Sequence, residues 1–400
     1  MDNFVYNNPT KIIFGKDSIK QVGEACKNEK ANCVMVVYGG DYLKENGTLD
    51  LVKESLKDAG LDYVIYDGVQ SNPCVSQVKK AAAIVKEKNV DFLLAIGGGS
   101  AIDTAKGIAI EAASDINIID VLYGNKEVDS CFPVGVISTI AGSGSEASCS
   151  VILTIDEQKL KRAYDSDKIR PRFAIMDPIS TFTLPKIQML SGGCDILMHT
   201  LERYFTCTTS NTELIDRMSE GLLITVMEAI KAAKKDPCDY EARANLMWAG
   251  SLSHNGLLET GRISDWATHR LEHELSGLFD VIHGCGLTAL WATWAKYVYK
   301  TNLERFFRFA VEVMKVEANY FDIEETALKG IEALNNFFKE VGMPTSIDEL
   351  GLVLNEADIE QMANNCLLGS TTIGHFKPLL KEDIITIYNN AIQGGFYEGK

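Results

Sequence analysis

The stretch that decides the fold reads Phe92-Leu-Leu-Ala-Ile-Gly97-Gly-Gly-Ser100-Ala-Ile-Asp103-Thr-Ala-Lys106. It begins with a continuous apolar run, which is typical of a strand that is covered on both faces. Three consecutive glycines follow the run, and a helix is expected to begin near Ser100. This order presents backbone N–H groups and the positive end of a helix to a phosphate group. Three successive glycines are costly in a simple turn, so we predict a phosphate-binding loop here.

The neighbouring segments repeat this alternation of strand and helix signals. Helix-like stretches at 47–58 and 76–88 carry apolar residues at three- and four-residue spacing. The alternation predicts an α/β, Rossmann-like domain with a mostly parallel sheet and helices on both of its faces. The strand-like runs between the helices lie at 34–38, 63–66, 92–96, 134–138, 151–155 and 173–176.

The alternation ends near Pro185, and the periodicity after that residue is helical. We therefore expect two domains, a dinucleotide-binding α/β domain at 1–185 and an all-α domain at 186–400. Because ligand sites favour clefts between domains, residues of both parts are expected to contribute to the chemistry. The helix-like stretches of the second part lie at 215–234, 241–259, 303–316, 323–341 and 355–367.

The composition is that of a globular protein and limits the partners. The chain has 400 residues, is 46% hydrophobic and 24% charged, and carries a formal net charge of −16. A surface that acidic repels nucleic-acid phosphates and anionic lipids, so neither kind of partner is expected. No apolar run approaches the roughly 20 residues that cross a bilayer, and no secretory signal is recognisable at the N-terminus, so we expect a cytoplasmic protein. The ten cysteines include no Cys-x-x-Cys pair, which argues against a zinc ribbon or a thioredoxin-like site.

A second polar loop, Thr139-Ile-Ala-Gly-Ser-Gly-Ser-Glu146, follows the run 134–138. Open α/β sheets bind ligands at the carboxyl ends of their strands, which is where this loop is expected to lie. Alone, the loop is equally consistent with a flexible connection. Together with the glycine loop it predicts a nucleotide that lies across the edge of the sheet.

A set of potential metal ligands stands in the second part of the chain. Asp195 and His199 are four residues apart in a helical context, as are His269 and His273, and His283 follows closely. Spacing of four residues places two side chains on one face of a helix, where both can hold one ion. One carboxylate and up to four imidazoles, without a thiolate, suit Fe(II) or Zn(II). Each histidine taken singly is consistent with a core residue, but their clustering favours a metal site.

These segments together resemble the iron-dependent, or group III, alcohol dehydrogenase family, and within it the butanol dehydrogenase branch. The resemblance covers essentially the whole chain, with the signatures in the family's order. It implies a Rossmann-like domain followed by an all-α metal-binding domain, an NAD(P) cofactor, one divalent metal and a homodimer. The segments that carry it are Pro-Thr-Lys-Ile-Ile-Phe-Gly at 9–15, then 97–106, 139–146, 177–185, 195–199 and 269–283.

The resemblance also implies roles for individual residues. The metal ligands fall on Asp195, His199, His269 and His283. The catalytic candidate is His273, which corresponds to a histidine near the nicotinamide, and relay of a proton to solvent and orientation of a metal ligand remain alternative roles for it. Ile140 departs from a position that is often Thr, which puts a side-chain hydrogen bond there in doubt. The cofactor-binding set comprises Gly39, Gly40, Asp41, Gly97, Gly98, Gly99, Ser100, Asp103, Thr139, Ile140, Ser143, Ser148, Lys161 and Ser180.

The choice between NAD and NADP remains open in the loop Tyr38-Gly-Gly-Asp41-Tyr-Leu-Lys-Glu45. A carboxylate near the adenosine ribose repels a 2′-phosphate and accepts a hydrogen bond from a 2′-hydroxyl, so Asp41 favours NAD. Gly40, however, stands where NAD-preferring relatives tend to have aspartate, and the branch that the chain resembles points to NADP.

The expected reaction is the interconversion of primary alcohols such as butanol and their aldehydes by hydride transfer. Apolar side chains near the metal segment favour an alkyl substrate: Phe205, Trp266, Leu287 and Trp291. Three alternatives remain: a glycerol-type polyol dehydrogenase, a dehydroquinate synthase-like lyase, and a metal- or nucleotide-binding protein without enzymatic activity. The lyase needs basic residues near the metal to hold an anionic substrate, and the segment 269–283 contains only Arg270.

Overall fold

The computed structural model describes residues 1–113 and 116–394 of the chain. By their internal contacts, the residues form two compact units. The sheet unit contains residues 7–189 and 236–256, and the helical unit contains residues 1–6, 190–235 and 257–394. The predicted fold class, a parallel-sheet α/β part with a helical remainder, is confirmed. The boundary predicted at residue 185 stays a prediction about separately folding domains.

The sheet unit is organised by a parallel sheet. In the described residues the strands are β1 (Lys11–Phe14), β2 (Cys33–Tyr38), β3 (Asp62–Tyr66), β4 (Phe92–Gly97), β5 (Val134–Ser138), β6 (Ser150–Ile155), β7 (Leu160–Asp165) and β8 (Phe173–Met176). Six of them form one sheet in the order β1-β8-β5-β4-β2-β3, and every pair in it is parallel. β6 and β7 form a separate antiparallel pair.

The run predicted as a strand at 151–155 is thus part of β6 and lies outside the parallel sheet. Its partner β7 follows after only the short segment 156–159. A parallel pair needs a crossover of a dozen or more residues, whereas an antiparallel pair can be joined by a tight turn. The length of the connection therefore decides the direction of this pairing.

The chain order reverses beside β2, which pairs with β3 on one side and with β4 on the other. Tyr38 at the end of β2 is aligned with Ile96, and Gly97 at the end of β4 is aligned with Ser138 at the end of β5. The loops that follow β2, β4 and β5 therefore leave the sheet at one edge. A reversal of strand order in an open parallel sheet is the usual place for a dinucleotide.

Both faces of the sheet are buried, as the apolar runs predict. Successive residues of β2 alternate between two hydrophobic cores, with Met35 and Val37 in one core and Val34 and Val36 in the other. All six residues of β4 are buried. This burial on both sides explains why the sequence of β4 is continuously apolar rather than alternating.

Helices make up most of the remaining structure. Over the described ranges they are α1 (Val22–Asn28), α2 (Tyr42–Glu45), α3 (Thr48–Asp58), α4 (Val75–Glu87), α5 (Gly99–Ala113), α6 (Ile118–Leu122), α7 (Lys186–Tyr204), α8 (Glu213–Lys235), α9 (Tyr240–His254), α10 (Ala267–Phe279), α11 (His283–Val298), α12 (Leu303–Glu312), α13 (Ile323–Val341), α14 (Glu356–Cys366) and α15 (Lys381–Ala391). None of the helices in the described residues has the length and hydropathy needed to cross a membrane.

The helix α9 belongs to the sheet unit, although it follows residue 185 in the sequence. Its Met247 is fully buried in one of the two hydrophobic cores beside the sheet. Ser251 on the same helix donates a hydrogen bond to Glu146 in the loop after β5, at 2.5 Å. Helical periodicity predicts that a helix is amphipathic but does not reveal which core receives its apolar face.

Candidate active site

Two loops of the sheet unit approach each other at the carboxyl edge of the sheet, and glycine makes the approach possible. A Cβ on Gly98 would lie 2.9 Å from Cδ1 of Ile140, and a Cβ on Gly99 would lie 2.6 Å from Oγ of Ser143. Gly97 has a φ of +148°, a conformation that favours glycine. Glycine at 98 and 99 therefore lets the second loop pack against the start of α5, and the N-terminal end of a helix is suited to bind a phosphate.

A contact that the sequence analysis did not anticipate spans the two loops. The hydroxyl groups of Tyr42 and Thr139 are 3.0 Å apart and share a hydrogen bond. Burial raises the pKa of the Tyr42 phenol. The Thr139 N–H also donates to the Gly97 carbonyl at 3.0 Å. The loops after β2, β4 and β5 are therefore joined at the place where the strand order reverses.

Two buried ionisable side chains, Asp103 and Lys106, hold the second loop in place. Asp103 accepts a hydrogen bond from the Ser145 hydroxyl at 2.5 Å. Nζ of Lys106 donates to the carbonyl oxygens of Ser145, Ser148 and Ser150 at 2.7, 3.1 and 2.7 Å. Burial lowers the pKa of Lys106 to about 8 and raises the pKa of Asp103. Asp103 and Ser148, both predicted to bind the cofactor, thus help to fix the loop, and Lys106 was missed.

The loop after β2 keeps its glycines for steric reasons. A Cβ on Gly39 would lie 2.2 Å from the carbonyl oxygen of Val69, and Gly40 has a φ of +84°. Asp41 is exposed and forms an ion pair with Lys44 at 3.0 Å. Lys44, which follows this loop, is therefore paired with carboxylates.

The other predicted cofactor residues lie in the sheet unit and have partners within it. Nζ of Lys161, in β7, donates to Oδ1 of Asn72 at 3.1 Å. The Ser180 hydroxyl donates to the Asp177 carbonyl at 2.7 Å. Ser100 lies in the first turn of α5, next to the glycines. The sequence analysis missed Asn72, whose φ of 53° lies in the left-handed region that asparagine tolerates.

In the helical unit, the candidate metal ligands converge on one carboxylate oxygen. Asp195 and His199 lie on α7, His269 lies on α10, and His283 is the first residue of α11. Oδ1 of Asp195 is buried and accepts no hydrogen bond from the described residues. Around it lie three imidazole nitrogens, His199 Nδ1 at 3.4 Å, His283 Nε2 at 3.6 Å and His269 Nε2 at 3.7 Å.

These distances fit a bound ion. Two ligand atoms of a tetrahedral site with bonds of about 2.1 Å are separated by about 3.4 Å. Burial alone lowers the pKa of His269, but interactions with the carboxylates of Asp195 and Glu202 raise it to about 9. The field that raises this pKa also attracts a divalent cation.

Two glutamates contact the ring nitrogens of His269 and His283 that point away from Asp195. Oε1 of Glu202 is 3.1 Å from Nδ1 of His269, and it also accepts the His269 backbone N–H at 3.0 Å. Glu272 is hydrogen-bonded to Nδ1 of His283. In each imidazole the other ring nitrogen is therefore left to face Asp195, which is the arrangement of metal-ligating histidines in proteins. The sequence analysis missed both glutamates, although each stands three residues after a candidate histidine.

His273 lies beside this cluster. Its ring centre is 5.8 Å from that of His283 and 6.5 Å from that of His269. One potential ligand atom each from Glu272, His273 and His283 lies within 4.8 Å of the others, so the residue adjoins the site. Its catalytic role stays a prediction.

The apolar residues predicted near the metal segment divide into two groups. Phe205, Leu287 and Trp291 are fully buried, and Phe205 stacks on Phe306 with ring centres 4.3 Å apart. These residues belong to the core of the helical unit. Trp266 is half-buried and lies against the rings of candidate ligands.

Comparison with known proteins agrees with both units. Residues 9–178 match the family model of iron-containing alcohol dehydrogenase, and residues 189–392 match that of the Fe-containing alcohol dehydrogenase family, C-terminal. A probable NADH-dependent butanol dehydrogenase of Bacillus subtilis is 38% identical, over 98% of this chain and all of its own length. An NADPH-dependent aldehyde reductase of Escherichia coli is 35% identical, over 88% of this chain and 90% of its own. The crystal structure of an NADH-dependent butanol dehydrogenase from Thermotoga maritima is 37% identical and superposes with a TM-score of 0.94, covering 98% of this chain and 99% of that one. The chain therefore belongs to the iron-containing alcohol dehydrogenase family.

Proposed function

We propose that this protein is a metal-dependent, NAD(P)-linked alcohol dehydrogenase and aldehyde reductase that interconverts primary alcohols such as butanol and their aldehydes. The observation that carries the proposal is the carboxylate oxygen of Asp195 with three imidazole nitrogens 3.4–3.7 Å away. A relative at 38% identity is named a butanol dehydrogenase, and another at 35% is named an aldehyde reductase. The expectation of an enzyme that oxidises alcohols or reduces aldehydes thus has support from both the site and the family.

The residues that would hold the metal are Asp195, His199, His269 and His283, and either Fe(II) or Zn(II) suits this donor set. A bound divalent ion acts as a Lewis acid toward the oxygen of the aldehyde or alcohol. Glu202 and Glu272 hold His269 and His283 in the orientation that such an ion needs. The protein part of the site therefore holds three carboxylates, of Asp195, Glu202 and Glu272, against its imidazoles.

His273 is the candidate for moving a proton. An imidazole changes its charge near neutral pH, and the buried ring of His273 adjoins His283 without belonging to the set around Asp195. Orientation of a neighbouring ligand is the other role for the residue. The two roles differ in the pH profile of kcat after His273→Gln, since only loss of a proton relay removes a titrating step.

The nucleotide is assigned to the edge of the sheet where the loops after β2, β4 and β5 meet. The backbone of the glycine loop and the start of α5 would hold the pyrophosphate. Tyr42 and Thr139 offer hydroxyl groups at the same edge. Lys106 and Asp103 act behind the loop by keeping residues 145–150 in place.

Cofactor preference is expected to depend on Asp41. We expect Asp41→Asn to raise the ratio of kcat/KM for NADPH to that for NADH by about fivefold, because it removes a carboxylate and leaves Lys44 with the more distant Asp67, at 3.9 Å, as its ion-pair partner. Steady-state kinetics with both cofactors measures the ratio. Asp50→Asn is a matched control, since Asp50 forms an equivalent exposed pair with Lys53. An equal change in both variants, or none in Asp41→Asn, would place the Asp41 carboxylate away from the ribose.

Aldehyde chain length provides the test of the substrate class. Each methylene buried against apolar side chains contributes about 0.8 kcal/mol, so two methylenes raise kcat/KM by about 15-fold. We therefore expect kcat/KM to rise by this order from acetaldehyde to butanal, and butanal to exceed glyceraldehyde. Assays with C2 to C6 aldehydes and with glycerol measure the preference. A preference for glycerol would instead assign the protein to the polyol dehydrogenases.

We also propose a homodimer. Phe4, Val5, Tyr6 and Phe14 expose 50%, 96%, 43% and 41% of their surface, and β1 is an edge strand of the six-stranded sheet. Exposed apolar residues that precede an edge strand in the chain, and the edge strand itself, are each suited to pairing with a second chain. Light scattering is expected to give twice the chain mass of 44.0 kDa at micromolar concentration. A mass of one chain would refute the dimer.

The cytoplasmic location stays a prediction.

A further inference from the structure

A tryptophan with an unusual backbone stands directly before the helix that carries His269. Trp266 has φ 65° and ψ 12°, which is the left-handed region. Bulky residues rarely occupy this region because their Cβ meets the backbone, and glycine or asparagine is the usual occupant. Backbone strain of this kind persists only where the surrounding structure enforces it, and it is concentrated at functional sites.

The neighbouring residue enforces this conformation. Oδ1 of Asp265 accepts the backbone N–H groups of His375 and Phe376, both at 2.7 Å. Oδ2 of Asp265 accepts the N–H of Ala267 at 3.2 Å. The residues on both sides of Trp266 are thus held by one buried carboxylate, and the backbone between them has little freedom.

The enforced conformation brings the indole ring onto two candidate ligands. The ring centre of Trp266 lies 5.2 Å from that of His269 and 6.0 Å from that of His199, with interplanar angles of 72° and 67°. Edge-to-face contacts at these distances are the favourable arrangement for aromatic rings. The guanidinium carbon of Arg203 lies 4.5 Å from the indole centre. Nη1 of Arg203 also donates to the His199 carbonyl at 2.9 Å, so the indole is held from a second side.

We propose that Trp266 is a positioning residue of the metal centre, whose indole ring sets the planes of the His199 and His269 imidazoles. The inference rests on the metal centre proposed above. The torsion that turns an imidazole about its Cβ–Cγ bond has broad minima, so contacts must select one ring orientation. Glu202 does this for one edge of His269, and Trp266 contacts both rings.

Metal affinity measured together with thermal stability tests the inference. We expect Trp266→Gly to weaken Co(II) binding to the metal-free protein by about 10- to 100-fold, the range typical of residues that orient metal ligands. The variant is expected to remain folded, with a cooperative melting transition, because relief of the left-handed strain by glycine offsets part of the lost ring contacts. Trp266→Phe, which keeps an aromatic edge, should remain within about threefold of the parent in Co(II) affinity. Co(II) absorbance titration and thermal unfolding give the two quantities.

Lys315→Gly is the matched control, because Lys315 is an exposed residue of the helical unit with φ 57°. This variant should keep the parental Co(II) affinity. If Trp266→Gly does not fold, Trp266→Asn replaces it, since asparagine tolerates the left-handed region. Parental Co(II) affinity in the glycine or asparagine variant would overturn the inference, as would equal losses in Trp266→Gly and Trp266→Phe. A parent protein that binds no Co(II) would overturn both the inference and the proposed metal centre.

Discussion

Asp195→Ala and His269→Ala are each expected to lose the bound metal and to lower kcat/KM for butanal by about 10³-fold. Lewis-acid stabilisation by a metal ion is worth several kcal/mol, and each 1.36 kcal/mol corresponds to a factor of ten in rate. Asp195 carries the oxygen on which the three imidazole nitrogens converge, so its removal affects the whole ligand set. The metal content of the purified variants and their aldehyde reductase activity give the result.

The fold is expected to survive both substitutions. In Asp195→Ala, removing one of three buried carboxylates relieves repulsion in the metal-free state, which opposes the loss of contacts. In His269→Ala, the Glu202 carboxylate keeps the backbone N–H of residue 269 as a hydrogen-bond donor. His375→Ala is the control for a histidine-to-alanine change, because His375 is exposed and lies in the same helical unit. Full metal occupancy in Asp195→Ala and His269→Ala would show that these residues are not ligands.

The second large effect is expected at the glycine loop. Gly98→Val should weaken NADH binding by about 10²-fold, because displacement of groups by about 1 Å in a positioned site has an effect of this size. A Cβ on Gly98 would already lie 2.9 Å from Ile140, so the larger side chain must push the loop 139–146 away. Fluorescence titration with NADH measures the affinity.

Metal content and NADH affinity, measured together in Gly98→Val, distinguish an effect on the nucleotide site from an effect on the metal site. Metal content should be unchanged in Gly98→Val, since the candidate ligands belong to the helical unit. Gly221→Val serves as the control, because a Cβ on Gly221 meets no atom within 4 Å. Unchanged NADH affinity in Gly98→Val would refute the assignment of the glycine loop to the pyrophosphate.

Strand β4 and the glycine loop illustrate what the sequence predicts well. A buried strand, a glycine turn and a helix start are local properties of one short segment, so local patterns describe them. The antiparallel pairing of β6 and the position of α9 in the sheet unit depend on partners that are distant in the chain. Periodicity describes a segment but not its partner. The family and the fold class were predicted correctly because ordered signatures along the whole chain carry them.

In the candidate site, too, local spacing predicted some residues, whereas residues whose role depends on distant contacts were missed. Spacing of four residues along one helix is sufficient to predict that Asp195 and His199 lie together. Glu202, Glu272 and Lys106 were missed because a buried charge has meaning only through the group that it contacts. Asp103 resembles a ligand-binding residue in sequence, yet its carboxylate accepts a hydrogen bond from Ser145 inside the protein. The ligand and cofactor assignments stay predictions.

The most direct test of the central proposal is the oxidation of NADH and NADPH by butanal with metal-free protein, measured before and after one equivalent of Fe(II) or Zn(II) is added. The proposal predicts no significant rate without metal and a rate restored by one equivalent of at least one of the two ions. Restoration should fail in Asp195→Ala. A full rate in metal-free protein, or no rate with either ion and either cofactor, would contradict the proposal of a metal-dependent, NAD(P)-linked aldehyde reductase.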